Sequence, residues 1–263
     1  MNQDFLASHI KRTNRNLFIS TVLIIALLLA MISLGGLKAV LQLLEYLNDG
    51  DWIYLLLDLG SVVLLLAGLM LSGLALVLTG KLLIRVFKVQ HHPIHKAAEI
   101  YGKFNDVSYY IASELSHPGT KRYKEVIITE NWIIKITTFG LNILKIADVV
   151  WAYNSVTKHE QGLIGPGIAA APTEVAKTFS VMIHSKNPIL PKMRISRTHE
   201  LDTVGHSERN AVEGEHKRNL MLNILEDLEQ RHPNAVYEYS SELEELWTKD
   251  KMLFIRSAGF TVD

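Results

Sequence analysis

The sequence predicts an α+β chain in which an N-terminal two-helix membrane hairpin precedes an antiparallel β domain closed by C-terminal helices. Three observations carry this. Two uncharged apolar runs, Leu17–Leu34 and Ser61–Thr79, fall within the first third of the chain. From Lys121 the pattern changes to short β-branched stretches separated by turn residues. Near the C-terminus, patterns of helical period are punctuated by Pro233 and Ser241.

Each apolar run is about 27–29 Å long as a helix, enough for a hydrocarbon core of ~30 Å. In lipid every backbone N–H and C=O must pair within its own segment, so a helix is the form expected. Core helices of soluble proteins carry a polar face, and these runs have none. Helices are expected over about 17–36 and 54–80, forming a hairpin across 17–80. Residues 1–16 are then a polar cytoplasmic tail and 81–120 a juxtamembrane helical linker. The basic start and apolar run resemble a signal peptide, but the run is too long for an h-region and no small-x-small cleavage site follows.

Charge orients the hairpin. Lys11, Arg12 and Arg15 precede the first helix, and Lys81, Arg85, Lys88 and Lys96 follow the second. The connection holds Lys38 against Glu45, Asp49, Asp51 and Asp58, with NDGD (48–51) as a turn and Trp52 and Tyr54 as an aromatic belt. The expectation is a multi-pass protein with both termini cytoplasmic. Gly68, Ser72 and Gly73 would let the two helices approach closely.

After QHHP (90–93), Ile94–Ser116 reads as a helix or helix pair. KRYKEVIITE and WIIKITTF form a hairpin turning at Glu130-Asn131; LNILKI follows as a third strand and Asp148–His159 as a fourth. Gly162–Pro172 is a Gly/Pro/Ala loop, Glu174–His184 and Pro191–Arg197 are strands, and Thr198–Glu213 is polar and loop-like. Glu215–Gln230 is a helix burying Leu220, Leu222, Ile224 and Leu228. A last helix opens on Ser241 as N-cap, with Glu244 completing a capping box, and carries a stripe of Leu243, Leu246, Met252 and Phe254. Trp132 and Trp151 are core aromatics.

ITENWIIKITTF (128–139), IADVVWAY (146–153) and VYEYSSELEELWTKDKMLF (236–254) resemble bacterial membrane proteins that carry a pleckstrin-homology-like (PH-like) domain. The resemblance covers about Tyr123 to Asp263, within a domain placed at 121–263. It implies a small barrel closed by a helix, a scaffold or binding role, and a bacterial inner-membrane location. Lipid-binding members of that family grip phosphates with basic residues on the first hairpin. Here Lys121, Arg122, Lys124 and Lys135 are the candidates, with Glu125 and Glu130 among them.

Composition narrows the chemistry. The chain has 263 residues, 27 basic and 27 acidic, and no cysteine. Disulfides and thiolate metal sites are excluded, and a neutral balance argues against nucleic-acid binding. No G-x-S-x-G or H-E-x-x-H motif occurs. Gly162, Gly165 and Gly167 lack the Lys-Ser/Thr pair of a phosphate loop and read instead as a flexible, partly apolar loop between strands, open to contact with a partner or the membrane surface. In HHPIH, His92 and His95 have metal-compatible spacing, but Pro93 breaks the helix such a site uses, so a solvated juxtamembrane loop is expected. His199, Glu200, Asp202, His206 and Glu208 are read as a mobile loop.

The expectation is therefore a non-enzymatic inner-membrane protein without catalytic residue, cofactor or metal. Its anchored domain binds the bilayer surface or a protein partner as a tether or scaffold, in one form protecting the envelope against a toxin. Contact residues would be Lys81, Arg85, Lys88, Lys121, Arg122, Lys124, Gly162, Gly165 and Gly167; a homo-oligomer stays open. The alternative is a membrane-anchored enzyme using His199, Asp202 and His206.

Overall fold

The computed structural model describes residues 5–31, 41, 44, 45, 48, 59–88, 92–161, 164–165, 168–169, 173–201 and 208–260. They fall into two units, one of residues 4–104 with 138–140, the other of residues 1–3, 105–137 and 141–263.

The first unit is helical. Its elements are α1 (Phe5–Met31), α2 (Leu59–Phe87) and α3 (Pro93–Glu99). Both long helices are long and apolar enough to cross a membrane, and only 17% and 6% of their apolar windows are buried. That low burial separates them from core helices, whose apolar stripe faces other elements. α1 and α2 pack together. The packing does not use the small residues expected for it: a Cβ on Gly68 or Gly73 would meet no described atom within 4 Å, and Ser72 Oγ bonds back to the Gly68 carbonyl at 2.8 Å. The NDGD turn lies outside the described residues except Asn48, which is helical.

The polar tail expected over 1–16 is helical from Phe5. Its apolar side is buried through Leu6, Thr13 and Leu17, and Ile94 and Ala98 of α3 are fully buried in the same unit. Packing therefore extends the helix well before the apolar run begins, where composition alone reads as a tail.

The second unit starts with α4 (Phe104–Glu114) and a four-stranded antiparallel meander. The strands are β1 (Lys121–Tyr123), β2 (Val126–Ile128), β3 (Trp132–Ile136) and β4 (Leu141–Lys145). The expected single strand 121–130 is two strands, since Tyr123 pairs with Val126 and the chain turns at Lys124-Glu125. Lys124 has φ of 55°, a conformation that favours glycine in two-residue hairpins, so no Gly or Asn marks this turn in the sequence.

A second antiparallel sheet has the order β5-β8-β9, from β5 (Val149–Gln161), β8 (Thr173–Ser185) and β9 (Lys192–Glu200). Within the expected loop 162–172, β6 (Ile164–Gly165) pairs with β7 (Ile168–Ala169). α5 (Glu208–Arg231) packs on β5, β8 and β9. The expected 198–213 loop is thus shortened from both ends. α5 buries Met221, Ile224 and Leu228, one helical face, while Leu222 is exposed.

One core joins both sheets and α5: Val126, Ile128, Ile133, Leu144, Val149, Ala152, Val181, Ile183, Ile195, Ile224 and Leu228 are among its members. A bulge in β5 between Val149 and Trp151 sends the next pair of residues elsewhere. Val150 and Trp151 join a second core with Tyr153, Met182, Phe254 and Ile255. Val150 therefore does not share a face with Ala152. This second core is covered by α6 (Ser241–Lys249) and α7 (Lys251–Ser257). The expected single last helix breaks at Asp250, whose side chain accepts from Leu253 N and starts α7. The N-cap of α6 is Ser240, one residue before Ser241. Met252 leaves the expected stripe and is exposed as a result. Trp132 and Trp151 are both buried.

Candidate functional site

The first hairpin of the β domain is the natural place to look for phosphate recognition, and its cations are mostly engaged inside the fold. Lys121 Nζ lies 2.9 Å from Asp227 Oδ1, and that bond raises the lysine pKa. Arg231 reaches the same oxygen at 3.1 Å and donates to the Thr129 and Gly119 carbonyls at 3.0 and 2.7 Å. Asp227 is buried, and its Oδ2 has no hydrogen-bond partner among the described residues. This group clamps α5 to the edge of the first sheet. Arg197 forms a bidentate pair with Glu125. Burial is the largest single influence on Glu125 and opposes its ionisation; the Arg197 bonds, a backbone hydrogen bond and the charges of Arg197 and Lys135 together outweigh it, so the carboxyl sits below its ordinary range. Lys135 Nζ donates to the Arg194 carbonyl. Arg122 and Lys124 are exposed.

Gly165 lies on β6, paired with Ile168. Gly162 and Gly167 lie outside the described residues.

The described histidines of HHPIH are organised rather than solvated. His91 is outside the described residues, but His92 is fully buried. Its Nδ1 accepts from Ile94 N at 3.2 Å and caps α3. That leaves Nε2 to donate to Thr13 Oγ1 at 3.1 Å, and Thr13 in turn donates to the Ile10 carbonyl at 3.0 Å. The chain of bonds fixes one neutral tautomer. Burial first, then Arg85 and His95, lower its pKa to about 4. His95 instead pairs with Glu99 at 3.1 Å and stacks on Phe104 at 4.5 Å. Arg85 Nη1 donates to the Phe139 carbonyl at 3.2 Å, whereas Lys81 and Lys88 are exposed.

Of the residues of the alternative catalytic loop, only His199 lies among the described residues. His199 lies on β9 and is buried, with its ring close to Gly214 of α5: a Cβ there would approach Cδ2 at 2.8 Å. Asp202 and His206 lie outside the described residues. Among the described residues, no three His, Asp or Glu side chains group to hold a metal ion.

Sequence reasoning missed the most unusual polar group, His184 on β8. It is 3% exposed, and neither ring nitrogen has a hydrogen-bond partner among the described residues. Trp151 stacks on it at 4.6 Å, Tyr153 lies at 5.8 Å and Trp247 of α6 meets it edge-on at 4.9 Å. Lys251 sits 4.9 Å over the Trp247 ring. Burial, then Lys192 and Lys251, lower the His184 pKa to about 4. The signal in the sequence is a lone histidine inside the apolar strand FSVMIHS (179–185).

Comparison of the chain with protein-family models, curated proteins and solved structures gives no match.

Proposed function

We propose that this chain is a non-enzymatic bacterial inner-membrane protein in which α1 and α2 span the bilayer and hold a PH-like binding domain on the cytoplasmic side. One observation carries the reading: the apolar surface of α1 and α2 is left uncovered, while the β domain closes a core of its own. In water each fully exposed Leu or Ile forgoes about 1.5–3 kcal/mol, and a bilayer is the solvent that removes this cost. A four-stranded and a three-stranded meander followed by a helix support the PH-like reading. Basic residues on both sides of the apolar runs support cytoplasmic termini. Anchoring confines the domain near the bilayer and raises its effective concentration for partners there. The enzyme reading gains no support from His199, which packs against α5.

The test is alkaline extraction of membranes carrying the full-length tagged protein, followed by gentle solubilisation and mass spectrometry of what co-purifies. Resistance to extraction with one stoichiometric protein partner is the expected result. Release by alkali would overturn the anchor, and a clean preparation without a protein partner would overturn the tether.

A further inference from the structure

We infer that anionic phospholipid headgroups are bound by the water-facing ends of α1, α2 and α3, and not by the β domain. The inference rests on the membrane-anchored reading above and specifies which lipid class it engages and where.

Charge is sharply partitioned along a chain that is neutral overall. Residues 5–16 and 81–103 hold eight Lys and Arg against one acid, Glu99. Residues 105–263 hold 18 Lys and Arg against 21 Asp and Glu. An anionic surface therefore attracts the helical ends and mildly repels the domain.

Availability sharpens the contrast. In the domain, Lys121, Arg231 and Arg197 are held by buried or half-buried carboxylates, and Lys135 by a carbonyl. On the first hairpin these bonds leave Arg122 and Lys124, which stand beside Glu125 and Glu130. On the helical ends Lys11, Arg12, Arg15, Lys81, Lys88 and Lys96 are all exposed. Among the described residues none of them pairs with a carboxylate. The single acid, Glu99, is already taken by His95.

The helices that carry Lys11, Arg12, Arg15 and Lys96 are also held in place. The first turns of α1 are held by buried Leu6, Thr13 and Leu17, and α3 is locked to α1 through the His92–Thr13 bond. A basic segment on an ordered helix gives up less side-chain and backbone freedom on binding than a disordered tail does. Each Lys or Arg near an anionic surface contributes about 1 kcal/mol, so several together select the lipid class.

The experiment uses full-length protein reconstituted in phosphatidylcholine mixed with phosphatidylglycerol, solubilised gently, with retained lipid identified by mass spectrometry. Wild type is expected to retain phosphatidylglycerol over phosphatidylcholine. The triple variant Arg12→Glu, Lys81→Glu, Lys88→Glu should lose that enrichment by roughly 10-fold. The hairpin variant Arg122→Glu, Lys124→Glu should keep it. Loss in the hairpin variant with retention in the triple variant would overturn the assignment. So would an alkali-resistant wild type that shows no lipid preference. A wild type released by alkali would instead refute the anchor itself.

Discussion

The two units of this chain use apolar residues in opposite ways. On α2, Met70 and Leu76 are 78% and 75% exposed, and few of their neighbours are covered. On β3, Ile133 is fully buried in the core of two sheets and a helix, and its neighbour Ile134 is fully buried as well. Composition is similar in kind, but the domain hides its apolar surface from water within itself and the helices do not. The difference teaches that the helices, unlike the domain, are not covered by the described residues around them. The charges differ as well: several cations of the domain are held in ion pairs within it, whereas Lys11, Arg12, Arg15, Lys81, Lys88 and Lys96 of the helical unit are exposed.

The largest effect expected breaks this comparison directly. Leu76→Arg on α2 should cost about 2.5–3.5 kcal/mol of membrane insertion and release the protein on alkaline extraction. Val156→Arg on β5 is also an exposed apolar position and should change stability by less than ~0.5 kcal/mol. Equal tolerance of both would mean that α2 faces water. In the domain, Leu144→Ala opens a fully buried site and should destabilise by about 2–5 kcal/mol, read from the denaturant midpoint.

Gly214→Ala tests the packing of α5 on β9. In an open helix this change stabilises by up to ~1 kcal/mol. Here the new Cβ would meet the His199 ring at 2.8 Å, so a loss of about 1–3 kcal/mol is expected. Adding His199→Ala should recover most of it.

Acid acts on the helical unit through the buried His92 and on the β domain through the buried His184. His92 and His184 have folded-state pKa values of about 4, below the ordinary 6.5. Between those values the unfolded chain binds more protons than the folded one. Stability contributed by the neutral rings is therefore full above about 6.5 and is lost as pH falls toward about 4. His184→Phe should flatten the domain's share of this decline, followed by tryptophan fluorescence. An unchanged slope would remove His184 from the account. The smallest effect is at the exposed Lys249–Glu245 pair, where Lys249→Ala should cost no more than about 0.5 kcal/mol.

Much of this organisation was legible because long-period signals are strong. The two apolar runs, the alternating strands of β5 and β8 and the helix before Pro233 all stand out. What escaped were features decided by contacts. The β1–β2 turn at Lys124-Glu125 carries no glycine to announce its positive φ. The helical start of α1 depends on packing by Leu6 and Thr13, which a polar sequence conceals. The bulge at Val150 shifts one residue between two cores, and the break at Asp250 reassigns Met252 to the surface. Of the expected contact residues, Lys121 is an ion-pair partner of Asp227, while Lys81 and Lys88 are exposed. His184 was missed because its burial comes from α6, more than fifty residues away in the chain.

The most direct test of the anchored account exploits the absence of cysteine. Single variants Asn48→Cys, between the two apolar helices, and Arg122→Cys, on the β domain, would be labelled with a membrane-impermeant reagent in vesicles of defined orientation. The account predicts that Asn48→Cys reacts only from the outer side and Arg122→Cys only from the cytoplasmic side. Labelling of both from the same side would contradict it.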